Sequence, residues 1–192
     1  MQGVTRGNLR VAVVSTAKYF VPRLLGKFCS EHPEVEVALE VENRDGVLAR
    51  LQENRDDLYI MSIPPSHLAV EKQAFLPNPL VIIAPLSHPR AEERQIPLAS
   101  LADERFILRE QGSGTRLSTD AHFAQLGFQA NVRLLLGSNE AIKQTVAAGM
   151  GLAVISRHAL PPHPADEMLC VLDVREFPVQ ANWWTVYPKG KQ

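Results

Sequence analysis

The segment Arg105-Phe106-Ile107-Leu108-Arg109-Glu110-Gln111-Gly112-Ser113-Gly114-Thr115-Arg116 sets an apolar strand, a turn with two glycines and two hydroxyls in direct succession, ahead of a helix over Thr115–Leu126. Glycines let several backbone N–H groups point into one small volume. The first turn of a helix has unpaired N–H donors and a partial positive charge. Ser113 and Thr115 add hydroxyl donors there, so Gly112, Ser113 and Thr115 form a seat for a small anion, whether carboxylate, phosphate or sulfate. The competing reading is an ordinary helix cap. Three more turns carry similar chemistry: Ser15-Thr16, Ser62-Ile63-Pro64 and Gly137-Ser138-Asn139. Any one of these hydroxyls reads as a cap; four at equivalent strand ends point to a binding site.

Catalytic readings find no support in the same residues. Gly-x-Ser-x-Gly would need glycine where Gln111 stands. A dinucleotide fingerprint would need a third glycine where Leu117 stands, and there is no phosphate loop ending in Gly-Lys-Ser/Thr. Glu110 as a general base lacks a matched nucleophile; it is better placed to accept a hydrogen bond from a ligand or a neighbouring arginine. The histidines are scattered, and His158 and His163, either side of Pro161-Pro162, lack a third metal ligand nearby. Cys29 and Cys170 read as small buried apolar side chains. The sequence therefore calls for no metal, no cofactor and no catalysis.

The elements that must position these turns alternate along the chain. Leu9–Val14 is a continuous apolar run suited to a buried strand. A helix over Tyr19–Glu31 follows, with Pro22 in its first turn and Phe20, Leu24, Leu25 and Phe28 at helical spacing. Glu34–Glu42 alternates cleanly as a strand with one wet face. Gly46–Asn54 is a short helix, and Leu58–Ser62 and Leu80–Leu86 are buried strands. Pro97–Ala102 leads as a short helix into the Arg105–Arg109 strand. Strand Val132–Leu136, helix Asn139–Ala148 and strand Leu152–Ser156 extend a second series, and strands Leu169–Val174 and Asn182–Tyr187 close the chain. Two tandem series predict an α/β protein of two lobes, each built on its own sheet. Ligands of open α/β sheets bind beyond the carboxyl ends of the strands, where the four hydroxyl turns fall, so a polar cleft between lobes is the expected site.

Bulk properties narrow the partners. With 192 residues, 45% hydrophobic and 21% charged, the chain suffices for one domain or two small lobes. A formal net charge of −1 advertises no nucleic-acid surface. Apolar runs such as Leu80–Leu86 are too short to span a bilayer, and the polar N-terminus has no signal-peptide core, which makes a cytoplasmic location the expectation.

Several motifs, in order along nearly the whole chain, carry a family resemblance. They are Asn8-Leu9-Arg10-Val11-Ala12, Lys18-Tyr19-Phe20-Val21-Pro22, His32-Pro33-Glu34-Val35, Asp57-Leu58-Tyr59-Ile60-Met61, the Arg109–Arg116 loop and Gly149-Met150-Gly151-Leu152-Ala153-Val154-Ile155. Together they resemble the effector-binding domain of LysR-type transcriptional regulators. The segment Glu53–Met61 and the Arg109–Arg116 loop look most like the CbbR branch, whose members control carbon-fixation genes and respond to phosphorylated metabolites or NADPH. The resemblance implies a type 2 periplasmic-binding-protein-like fold, two Rossmann-like lobes joined by crossover strands. Lobe I would comprise 8–84 and 184–192 and lobe II 85–183, with crossovers after Leu80–Pro85 and near Trp183–Pro188. It implies ligand contacts at Ser15, Thr16, Ser62 or Ile63, Gly112, Ser113, Thr115 and Ser138, with Glu110 beside them and Lys18 and Arg116 where a cation can approach an anion; the alternative for both cations is a solvated charge at a helix start. The expected ligand is a small anionic metabolite, phosphorylated or a carboxylate.

Departures from the family pattern are equally specific. The winged helix-turn-helix DNA-binding domain that precedes this domain in the family is absent, Met1–Gly7 looks like a remnant of the linker, and a last helix expected after Tyr187-Pro188-Lys189-Gly190-Lys191 is missing. The expectation is an excised fragment, meeting promoter DNA only through the missing domain. The main alternative is a solute-binding protein of a transporter; an enzyme of similar fold is the third. Self-association, as a homodimer or tetramer, follows from the first helix, whose Tyr19, Phe20, Val21, Leu24, Leu25 and Phe28 cover more than one face. In the family that helix and the Glu34–Glu42 strand pack against the pair spanning about Thr115–Leu136 of another subunit.

Overall fold

The computed structural model describes residues 7–190. Met1–Arg6, which make up nearly all of the expected linker remnant, and Lys191–Gln192 lie outside the described residues. In chain order the elements are β1 (Gly7–Val14), α1 (Val21–Glu31), β2 (Val35–Glu42), α2 (Arg44–Gln52), β3 (Leu58–Met61), β4 (Val70–Pro77), β5 (Leu80–Pro85), β6 (Arg105–Arg109), α3 (Gly114–Gln125), β7 (Asn131–Leu136), α4 (Asn139–Ala147), β8 (Leu152–Ser156), β9 (Leu169–Val171) and β10 (Asn182–Pro188). They form two lobes, each around its own mixed sheet.

The first lobe has strand order β2-β1-β3-β10-β4. β1 lies parallel to β2, from Gly7 against Val35 to Val14 against Glu42, and parallel to β3 on its other side. A strand flanked on both edges and covered on both faces must be apolar throughout, and Val11–Val14 are all buried. The expected single helix over Tyr19–Glu31 is two pieces: a 3-10 turn, Ser15–Tyr19, then α1. Phe20, at φ −134°, breaks between them and stacks its ring 5.3 Å from Trp183. Pro22 then fits the first turn of α1, where no N–H is missed.

α2 begins at Arg44, two residues ahead of the expected start, because the Asn43 side chain caps it by accepting from Gly46 N at 3.0 Å. Its other end is clamped to β3. Arg50 donates from Nε and Nη2 to the two Asp56 oxygens, each at 2.8 Å, and Asp56 is 1% exposed. The Tyr59 hydroxyl accepts from Asp56 N and donates to Arg50 O. The bidentate carboxylate holds the Arg50 guanidinium above its ordinary pKa, while burial raises that of Tyr59.

β4 escapes sequence reading. Its run Val-Glu-Lys-Gln-Ala-Phe-Leu-Pro has neither alternation nor a buried face, with Glu71–Phe75 exposed, because it is an edge strand beside β10.

The second lobe has strand order β7-β6-β8-β5-β9. β6 is parallel to β7 and β8, and β5 is antiparallel to β8 and β9. Here the expected boundary needs correction. The sequence pattern places β5 in the first lobe, with the crossover after it; its ladder partners on both sides belong to the second sheet, and its apolar run suits an inner strand. The units are Pro77–Ala181 for the second lobe, and the segments up to Leu76 and from Asn182 for the first. Asn78 N donating to Ala181 O at 2.8 Å ties the two ends of the second lobe together. Gly151 packs its Cα against β6, where an added Cβ would lie 2.6 Å from Arg105 O, which accounts for the glycine of that motif. Cys29 and Cys170, expected to be buried, are half-buried free thiols.

The Arg50–Asp56 clamp yields a first prediction. Asp56→Ala strands a mostly buried guanidinium and should cost about 3 kcal/mol, the low end for a buried pair because Arg50 still reaches solvent. Urea denaturation of the variant beside the parent checks this; a loss below 1 kcal/mol, on that scale about what an exposed pair contributes, would show the clamp to be dispensable.

Candidate functional site

The carboxyl edge of the second sheet gathers Glu110, Gly112, Ser113, Thr115, Arg116 and Ser138. Glu110 N donates to Leu136 O at 3.1 Å, tying the end of β6 to the end of β7. Gly112 adopts φ 95°, a conformation that favours glycine and turns the chain into α3. Ser113 is the N-cap, its Oγ accepting from Arg116 N at 3.3 Å and its carbonyl from Leu117 N at 3.0 Å. The N–H groups of Gly112, Gly114 and Thr115 meet no acceptor among the described residues. Thr115, itself buried, has a hydroxyl without a hydrogen-bond partner among the described residues, while its carbonyl accepts from Thr119 Oγ1 at 2.7 Å. Ser138 caps α4 in the same manner, Oγ accepting from Ala141 N at 3.1 Å.

Both serines are therefore caps, as the plainer reading held. Capping engages only the oxygen; each hydroxyl keeps its proton for another acceptor.

Beneath these turns lies a residue that sequence reading passed over. Arg109 closes β6 with its side chain 2% exposed. Its Nε donates to Glu110 Oε1 at 2.8 Å, Nη2 to Glu110 Oε2 at 3.4 Å and Nη1 to Asn139 Oδ1 at 3.2 Å. The cue was a charge ending a buried apolar run, Phe-Ile-Leu-Arg. Arg116 serves a different end from the one expected: its Nε faces both Asp120 oxygens at 3.0 Å and its Nη1 donates to Arg109 O at 3.0 Å, stapling α3 to β6.

The carboxyl edge of the first sheet carries its own cluster. Ser15 is half-buried and Thr16 buried in the 3-10 turn after β1. Lys18 follows, Nζ 5.4 Å from the Tyr19 ring centre. Beyond β3, Ser62 is buried with no hydroxyl partner among the described residues. The Ile63 carbonyl accepts from Arg44 Nε at 3.0 Å, so Ile63 is a backbone anchor for a cation sequence reading also missed. Burial lowers the Arg44 pKa from its usual value, opposed by Asp45. Among the described residues, no three His, Cys, Asp or Glu side chains are arranged to hold a metal ion.

Paired sheets with donor-rich turns at the carboxyl ends of their strands define a two-lobed, periplasmic-binding-protein-like α/β domain. The family model for the LysR substrate binding domain matches residues 2–192, and the chain belongs to that family. It is 48% identical over 192 residues to a RuBisCO operon transcriptional regulator of Acidithiobacillus ferrooxidans, covering all of this chain and 62% of that protein. It is 44% identical to the HTH-type transcriptional activator CmpR of Synechocystis, covering 63% of it. The chain thus spans a little under two thirds of these relatives. The regulatory domain of CcmR from Synechocystis, in complex with 2-PG, superposes with a TM-score of 0.93 at 49% identity, covering 97% of this chain and 90% of that one. The effector-binding domain of QuiR in complex with shikimate, at 20% identity and TM-score 0.86, shares the fold. These relatives support the CbbR-like branch of the family.

The caps give the second prediction. Ser138→Ala removes the acceptor for Ala141 N and should lower stability by about 1 kcal/mol. Thermal melting measures it; an unchanged melting temperature would remove Ser138 from the framework of α4.

Proposed function

We propose that this chain is the effector-sensing domain of a LysR-type transcriptional regulator of the CbbR kind, and that it binds a small phosphorylated or carboxylate metabolite to control transcription by the full-length protein. The carrying observation is the start of α3: three N–H groups without acceptors among the described residues, the Ser113 and Thr115 hydroxyls, and a buried guanidinium at the end of the preceding strand. Such donors surround an anion without any flexible lysine. A relative 49% identical, the CcmR regulatory domain, is in complex with 2-PG, 2-phosphoglycolate, which carries both a phosphate and a carboxylate. Ser15, Thr16, Lys18, Ser62 and Ile63 are the proposed contribution of the first lobe; Gly112, Ser113, Thr115, Arg116 and Ser138 that of the second, with Glu110 at the edge of the site on Arg109, Arg116 acting through the Arg109 carbonyl it holds and Ile63 through its own carbonyl, held by Arg44.

A ligand that prefers one of two states of the domain shifts their populations by its difference in affinity. DNA recognition is assigned to the part of the relatives this chain does not span, with carbon-fixation genes the proposed targets. The domain acts without catalysis, and its relatives are regulators rather than transport components.

Binding and capping separate at Thr115. Thr115→Val removes a hydroxyl that makes no hydrogen bond among the described residues. It should weaken 2-phosphoglycolate binding by roughly tenfold, the loss of one hydrogen bond to a charged group, and leave the melting temperature in place. Calorimetric titration beside thermal melts is the measurement; unchanged affinity would take Thr115 out of the site.

The same reading includes a homodimer or higher assembly. Leu117 and Leu126 on and beside α3, and Val132 and Leu135 on the edge strand β7, are 43–52% exposed. Leu24 on α1 and Val41 on the opposite lobe's edge strand β2 are 54% and 42% exposed. Apolar side chains concentrated on edge strands and adjoining helices favour a second copy over solvent. Sedimentation at tens of micromolar should show dimer, and Leu135→Glu should convert it to monomer; a parent that sediments only as monomer refutes the assembly.

A further inference from the structure

The second-lobe site collects positive potential from several sources at once. The Arg109 guanidinium is 2% exposed and reaches the first residue of α4 through Asn139 Oδ1, so a full positive charge sits at the positive end of a helix. The start of α3, whose Gly114 and Thr115 N–H groups meet no acceptor among the described residues, follows a few residues along the chain. A buried cation so placed needs an anion. Arg116 does not compete for it, because it has Asp120. Glu110 supplies a carboxylate to Arg109 through two hydrogen bonds from the guanidinium, and its side chain is 29% exposed where that of Arg109 is 2%. The pair is thus lopsided: the cation is fixed in the interior, and the carboxylate closing it faces the solvent from which a ligand arrives.

We infer that Glu110 is a built-in counter-ion that an anionic effector must displace or repel, so that it sets the affinity threshold of the site. The inference rests on the anion-binding reading above. Two anions cannot share one guanidinium without cost, since like charges in close contact disfavour each other. Without ligand, Glu110 keeps the buried cation neutralised and the lobe stable. With ligand, its carboxylate leaves Arg109 and the arriving anion takes over the neutralisation. Weak anions fail to compete, and only a ligand carrying full negative charge at this edge does. A selective site for dianions such as a phosphate monoester is the outcome, built from a residue that looks like an obstacle to them.

The experiment is calorimetric titration of the whole 192-residue chain with 2-phosphoglycolate and with inorganic phosphate, as parent and as Glu110→Gln. Glutamine keeps the size and one acceptor of the side chain but removes the charge. The ligand-free variant should melt lower than the parent and bind both probes more tightly, by roughly tenfold for 2-phosphoglycolate. Equal or weaker binding by a folded Glu110→Gln, with parent binding intact, overturns the inference, because Glu110 would then be a neutral bystander or a direct contact. A crystal structure of the parent with 2-phosphoglycolate bound provides a check independent of any variant: the Glu110 carboxylate should have left Arg109 Nε, and an intact 2.8 Å bond in that complex overturns the inference too. A parent that binds neither probe overturns the anion-binding reading itself.

Discussion

The second lobe is organised around the neutralisation of one buried charge. Arg109 ends a strand whose inner residues, Phe106, Ile107 and Leu108, are apolar, and its guanidinium is held by Glu110 and by Asn139 at the start of α4. Its carbonyl is held in turn by Arg116 from α3. A single residue therefore fixes the ends of two helices and one strand relative to each other. The turns that carry the free N–H groups are short and glycine-containing, so they hold their shape only because their flanks are fixed. Removing this charge would leave the donors in place in the sequence and scattered in space.

The first lobe solves a similar problem at the opposite edge of its sheet. Arg50 and Asp56 clamp α2 to β3 far from the donor turns, while Arg44, at the other end of α2, holds the Ile63 carbonyl after β3. The helix is thus fastened at both ends by arginines, one pairing with a carboxylate and one with a backbone oxygen. The planar guanidinium suits both tasks, since several N–H donors leave it in a fixed fork.

Much of this was legible in the sequence. β1, β2 and β8 follow from apolar runs or clean alternation, and the caps Ser113 and Ser138 from hydroxyls ahead of periodic segments. The domain motifs sufficed for the family. Three features were hidden for physical reasons. β4 lies at an edge with its middle exposed and only Val70 and Leu76 touching the core, so no hydrophobic period marks it. β5 reads as a buried strand either way, and only its pairing tells which sheet owns it. The roles of Arg109 and Arg44 depend on partners distant in the chain, Asn139 for Arg109 at 30 residues and Ile63 for Arg44 at 19, which no local pattern encodes. Arg116 looked like a ligand contact because its place in the turn is right; the structure shows it engaged by Asp120 one helical turn on.

The strand order of the first lobe imposes a schedule on biosynthesis. β10 follows the whole second lobe in the chain yet sits between β3 and β4, so the first sheet cannot close until the ribosome has passed through that lobe. The second lobe, by contrast, is one uninterrupted stretch, Pro77–Ala181. The nascent chain therefore emerges with β4 lacking its neighbour and its backbone donors open along that side, while the downstream lobe already has all it needs to fold. Vectorial synthesis ordinarily favours the N-terminal unit; here that unit keeps an unpaired strand edge until β10 arrives, the kind of edge most open to wrong pairing.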